Sequence, residues 1–333
     1  MRKEANLEQW RLLYEVAIKL KTLKPWNNLW DIDLTEIVLP EYEESFFCSV
    51  MGKAGNCIAI GTYAGVDAIN GFYYIIDNPK ISSTQYIRYQ NNLMCYFGNR
   101  DELSSKELKV IKDLGLKFRG KNEWIYFRSF ETGYVPYILD QTQVVQLTSV
   151  FQQLYMAIKY FVQGKIKVDF ESGNILHRKY DDKSKLWLTS EASNIIPLRT
   201  RMTPVINDEL LLVKLNKLKA TRNEIELDTL YLNFVINDKE FERPILGKLL
   251  IIADCKSGML IDQNMLSPTD EVVQNILGIF INFLMQNGKP KTVYVRDEYI
   301  KDYLENLCEK IGVLLKVKGK LKAIDAFEKE YLG

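Results

Sequence analysis

The stretch LLIIADCKSGMLIDQNM, Leu249 to Met265, sets two apolar runs on either side of the turn Asp254-Cys255-Lys256-Ser257-Gly258. An earlier stretch has the same form: FFCSVMGKAGNCIAIG, Phe46 to Gly61, reads as Phe46–Met51 and Cys57–Tyr63 joined across Gly52-Lys53-Ala54-Gly55-Asn56. Glycine within a short polar run between two β-favouring segments is the chemistry of a hairpin turn. Working outward from each hairpin, periodicity predicts one order of elements twice. In the first half, Leu7, Trp10, Leu13, Tyr14, Ala17, Ile18 and Leu20 recur at helical spacing until Pro25, and Asp31-Ile32-Asp33-Leu34-Thr35 alternates as a strand before the hairpin. After it come a helix through Val66, Ile69, Phe72, Tyr73 and Ile76, a strand at Leu93–Phe97, and the triplet Arg100-Asp101-Glu102. A helix opened by Ser104 and Glu107 as a capping box and a strand at Leu116–Arg119 complete the series.

The second half is predicted to repeat this order. A helix runs from Asp208 to about Ala220, a strand spans Leu230–Ile236, and the hairpin leads into an apolar helix from Glu271 to Met285. Val293-Tyr294-Val295, Arg296-Asp297-Glu298, a helix bearing Ile300, Tyr303, Leu304, Leu307 and Ile311, and a strand at Val313–Val317 follow. Lys53-Ala54-Gly55 matches Lys256-Ser257-Gly258, and Arg100-Asp101-Glu102 matches Arg296-Asp297-Glu298, at nearly constant offset. The expected fold is therefore α/β (α+β), as two diverged copies of an α-βββ-α-β-α-β module. The first copy spans 1–163 and ends in a long spine helix through Val144, Leu147, Phe151, Leu154, Ile158 and Phe161; residues 164–200 form a β-meander linker, and 201–333 the second copy.

Composition narrows the function. With 44 basic and 43 acidic residues in 333, overall charge asks for no polyanion and no anionic membrane surface, so a binding surface must be local. Five cysteines without a C-x-x-C pair suit a reducing compartment, and the amino terminus lacks the continuous apolar core of a signal peptide, so a cytoplasmic protein with no membrane span is expected. The single histidine, His177, lies in an alternating strand and excludes multi-histidine metal sites.

The stretches Phe46–Gly61 and LGLKFRGKNEWIYFRSFETGYVP (Leu114–Pro136), with Arg243-Pro244, Ile252-Ala253-Asp254, Ser257-Gly258 and Val295-Arg296-Asp297-Glu298, resemble a bacterial family common among Firmicutes. Both halves of that family are catalogued as domains of unknown function. The resemblance covers most of the chain and implies no particular chemistry.

Two constellations could carry chemistry. Three antiparallel strands followed by helix, strand, helix and strand is also the element order of RNase H-like folds, by fold analogy alone. Active members hold two divalent metals on carboxylates of the first strand and after the fourth. Asp33 (or Asp31) and Asp101 would serve in the first half; Asp254 and Asp297, helped by Asp325 or Glu328, would serve in the second, and Mg²⁺ or Mn²⁺ would be the cofactor only under this nuclease reading. Neither set is complete, and helix capping accounts for the repeated Arg-Asp-Glu triplets without any metal. The second constellation is a ribbon in which Lys117, Arg119 and Lys121, then Trp124, Tyr126 and Arg128, alternate with apolar residues. Cations that track phosphates beside rings that stack on bases could hold a nucleic acid or nucleotide; strand propensity and lysine stems over apolar surface explain the same pattern. The expected role is a non-enzymatic binding or interaction protein, with nucleic acid or another protein as partner, and a metal-dependent nuclease or its inactive relative as the alternative.

Overall fold

The computed structural model describes residues 2–55, 57–195, 203–238, 240–267 and 272–331. Contacts group the chain into two units, one of Met1–Ile81 with Tyr89–Arg199 and one of Ser82–Arg88 with Thr200–Gly333.

In the first unit, α1 (Leu7–Leu23) starts at a capping box of Asn6 and Gln9 and stops where Lys24 turns left-handed before Pro25. The strands β1 (Thr35–Val38), β2 (Phe46–Met51) and β3 (Ala59–Ala64) lead into α2 (Gly65–Asp77). Next is α3 (Ser83–Tyr89), whose residues up to Arg88 belong to the other unit. Then follow β4 (Asn92–Gly98), α4 (Ser105–Asp113), β5 (Trp124–Phe130), α5 (Gln141–Val162), β6 (Asn174–Asp181) and β7 (Leu186–Ser193). The seven strands form one sheet in the order β5-β4-β3-β2-β1-β6-β7, antiparallel throughout except for β1 against β6. The main core joins Trp10, Leu13, Leu20, Val144, Leu147, Phe151 and Leu154 of α1 and α5 to Ile37, Val50, Ile60, Cys95, Ile125 and Phe127 of the sheet. The predicted spine helix thus packs on its own unit. Leu34, Phe47, Tyr63, Ile69 and Phe72 form a smaller cluster under α2.

The second unit contains α6 (Glu209–Asn216), β8 (Glu224–Ile236), β9 (Ile245–Asp254), β10 (Leu260–Leu266), α7 (Val272–Asn287), β11 (Thr292–Val295), α8 (Glu298–Ile311), β12 (Leu314–Val317) and α9 (Lys322–Tyr331). Its sheet runs β10-β9-β8-β11-β12, with the first three strands antiparallel and β11 and β12 parallel to β8.

The mixed α/β class and both hairpins match the expectation, and four details differ from it. The expected first strand at Asp31–Thr35 begins only at Thr35, because the Asp33 carboxylate accepts the Trp30 amide at 2.7 Å and holds residues 30–33 in a turn. Residues 116–119 form no strand; Gly115, Gly120 and Asn122 all have positive φ, which suits a winding loop. The two halves share element order but not connectivity. In the second, β11 returns parallel beside β8, whereas in the first the place beside β1 is filled by β6, and β4 pairs antiparallel with β3 instead. The stretch expected as a linker meander therefore contributes two strands to the first sheet. Finally, β8 starts at Glu224, six residues before the expected Leu230, and the added turn-free length carries Glu224, Glu226 and Asp228.

Candidate functional site

Alternation along β8 sends Ile225 and Leu227 into the core under α7 and α8, and Glu226 and Asp228 to the opposite face, where α9 packs. Beside Asp228 the parallel strand β11 ends, with Val295 paired to Leu227, so Arg296 and Asp297 emerge next to it. β11 and its connection to α8 leave the sheet here, whereas β8 runs on to Ile236 beside β9.

Charges fill that point. The Arg296 guanidinium donates to Asp228 through Nε at 2.6 Å, to Asp325 of α9 through Nη2 at 2.5 Å and to the Gly319 carbonyl at 3.0 Å. Arg88, carried by the Ser82–Arg88 segment, donates to Asp228 at 2.9 Å, to Asp297 at 2.5 Å, and to the carbonyl and hydroxyl of Thr229. Asp228 is fully buried and meets one guanidinium on each carboxylate oxygen. Asp297 also caps α8 by accepting the Ile300 amide at 2.8 Å. Glu226 accepts the Ala323 and Ile324 amides at 2.9 and 3.1 Å, closing the start of α9. Thr84 donates to Glu328, also on α9.

Asp228, Arg296 and Asp297 are buried. Burial opposes the charge on Arg296, yet Asp228 and Asp325 outweigh it and raise the guanidinium above its ordinary range. Lys248 lies opposite Tyr231 on β9, its ammonium 5.6 Å from the ring centre. Burial first, and the nearby Arg88 second, pull Lys248 down to about 8, while burial lifts Tyr231 to about 12. A buried carboxylate bound by two guanidiniums is chemically satisfied, and it offers no oxygen for a proton transfer or a metal without displacing an arginine.

The residues singled out from sequence are distributed as follows. Asp297 belongs to this cluster, and Asp325 and Glu328 lie at its α9 side. Asp254 ends β9 and serves its own turn, accepting from the Ser257 amide and hydroxyl and then from the Lys256 amide, which hold its carboxyl below the usual range. In the first unit Asp33 is buried in its turn and Asp101 is exposed beside Glu102. Among the described residues no group of three or more histidine, cysteine, aspartate or glutamate side chains is placed to hold a metal ion.

The ribbon residues divide as well. Lys117, Arg119 and Lys121 lie exposed on the loop before β5. Tyr126 is buried, stacked on Tyr96 at 4.9 Å and donating to Glu102 at 2.8 Å, and the Arg128 guanidinium covers its ring at 4.8 Å. Arg128 in turn bonds Glu107 at 3.1 Å. Trp124 is half-buried, with Phe118 edge-on at 6.0 Å and Arg100 at 5.9 Å.

Asp228, Arg296 and Arg88 escaped the sequence reading. The period-two run Glu224-Ile225-Glu226-Leu227-Asp228 carried a signal for the first of them, and the Arg-Asp-Glu triplet contained the second. Nothing local marks Arg88, which lies far from its partners along the chain.

Two catalogued domains follow one another along the chain. Residues 10–178 match the model of a domain of unknown function (DUF7309), and residues 211–332 that of a second (DUF6930). The chain belongs to the DUF7309 family. No curated protein matches it. Among the described residues, no helix is long and apolar enough to cross a membrane.

Proposed function

We propose that this is a non-enzymatic binding protein of the cytoplasm, and that its second unit is an inactive relative of RNase H-like nucleases. The observation that carries the reading is the pair of guanidiniums, Arg88 and Arg296, on the two oxygens of Asp228. Three antiparallel strands, a helix, a strand, a helix and a strand is the element order of that fold class, and it puts Asp228 on the first strand and Asp297 after the fourth. Those are the positions at which active members of the class hold two metals. Here two fixed cations of the protein itself neutralise them. A guanidinium cannot lower the pKa of a bound water or be exchanged for one during a reaction, so the arrangement supports a scaffold role better than a catalytic one.

Incubating the full chain with labelled single- and double-stranded DNA and RNA, with Mg²⁺ or Mn²⁺, tests this. No cleavage is expected with any substrate. Metal-dependent cleavage that Asp228→Asn or Asp297→Ala abolishes would overturn the reading and establish the nuclease. Binding of nucleic acid through the exposed Lys117, Arg119 and Lys121 would weaken steeply with salt.

A further inference from the structure

We infer that β7, the outer strand of the seven-stranded sheet, is a self-pairing edge that joins two copies of this chain. Among the described residues no strand pairs with its outer side. The opposite edge of the sheet differs, since β5 is partly covered by the backbone bonds between Ser129 and Tyr137. An eight-residue edge is a template for another strand unless lysine, proline or a bulge blunts it. Leu186–Ser193 contains no lysine, no proline and no register shift, and its charge is the single Glu191.

The backbone geometry says which groups are available. Asn194 donates its amide to Gly173 of the neighbouring strand pair, so by the alternation of an antiparallel ladder Ala192, Ser190, Leu188 and Leu186 bond inward to β6. Trp187, Thr189 and Glu191 then present their amides and carbonyls outward. Leu186 and Leu188 are 60% and 41% exposed on one face of the sheet, apolar area that a partner strand would cover.

The occupant follows from charge. An antiparallel two-fold centred on Leu188 sets Leu188 against Leu188 of the second copy, Leu186 against Ser190, Trp187 against Thr189, and Lys185 against Glu191. Glu191, the one charge within β7, is thereby set beside Lys185, the turn residue that precedes the strand, and the two-fold makes that pairing twice. Lys185 is exposed, its contact within the chain being a 3.7 Å approach to the exposed Asp182, and Glu191 makes its bonds to Asn174 and Asp169 through one oxygen. Centring on Thr189 sets Lys185 against Ser193 with no charge pair, and centring on Trp187 sets Lys185 against Thr189 and leaves Glu191 opposite Lys183, a turn residue two positions further from the strand. A second copy of the chain in the Leu188-centred register therefore fits this edge.

Sedimentation of the full chain over a range of concentrations is expected to show a monomer–dimer equilibrium. Leu188→Lys sets like charges at the two-fold and should raise the dissociation constant by roughly tenfold or more. Glu191→Lys should weaken association likewise, and the double variant Lys185→Glu/Glu191→Lys should restore it. In a Cys57→Ser background, which removes the exposed native thiol, Leu188→Cys should give a disulfide-linked dimer on mild oxidation, because residues opposite each other at a non-hydrogen-bonded site bring their side chains closest. Leu186→Cys, facing Ser190, should give none. A monomer at every concentration, a dimer indifferent to both charge variants, or cross-linking at 186 in preference to 188 would overturn the inference. The cross-linking result decides the matter even if Leu188→Lys fails to fold.

Discussion

Arg296 and Asp228 meet at 2.6 Å with both side chains removed from water, and the same carboxylate receives Arg88 on its other oxygen at 2.9 Å. Two strands and a segment distant in the chain are tied at one buried atom pair. In a dry site such a pair is conditionally stabilising. Together the partners roughly offset the cost of their burial, whereas removing one leaves an uncompensated charge.

Asp228→Ala should therefore destabilise the second unit by about 3–5 kcal/mol, because it strands two guanidiniums. The composition supplies a selective readout. All five tryptophans, Trp10, Trp26, Trp30, Trp124 and Trp187, lie in the first unit, so their fluorescence follows that unit, and far-UV dichroism follows both. The expected result is an earlier urea transition by dichroism with the fluorescence transition in place. An unmoved dichroism curve would show that the buried network contributes little.

Lys248 makes stability depend on pH. Its folded value of about 8 lies below the ~10.4 of an unfolded lysine, so between these two pH values the unfolded chain binds the extra proton. Stability of the second unit should rise as pH increases from about 8 to about 10.5, by up to roughly 3 kcal/mol, and the burial penalty should be fully present below pH 8. Lys248→Met removes the titrating group and should flatten that slope relative to the parent. Parallel slopes in the two proteins would assign the dependence elsewhere.

At the start of α9, Glu226 holds two backbone amides. Glu226→Gln keeps the shape but weakens acceptance, and Glu226→Ala removes it, so hydrogen exchange at Ala323 and Ile324 should speed up in that order. Unchanged exchange in the alanine variant would mean that packing of Ile324 alone secures the helix.

In the first unit, Tyr126→Phe deletes the hydroxyl that donates to Glu102 and should lower stability by about 1 kcal/mol in the tryptophan transition. The same hydrogen bond contributes, after the Asn99 amide, to holding Glu102 below the ordinary carboxylate range. The Glu102 carboxyl should consequently titrate higher in the phenylalanine variant, a shift that carbon-detected NMR at its side chain can follow.

The local rules of the chain determined much of this molecule. Period-two and period-three-to-four patterns found both hairpins, the capping box at Ser104 and the long helix that covers the first sheet, because each depends on residues a few positions apart. Tertiary structure alone decided which strands became neighbours. β6 lies beside β1 and β11 beside β8, although both hairpins look alike in sequence, since strand order depends on which distant apolar faces can be buried together. It also decided that Asp297 is a bonded partner of Arg88 and that Tyr126 is enclosed by Tyr96, Arg128 and Glu102. A charged or aromatic residue in sequence is only a capacity for interaction; whether water, a ligand or a guanidinium satisfies it depends on groups brought near by the fold.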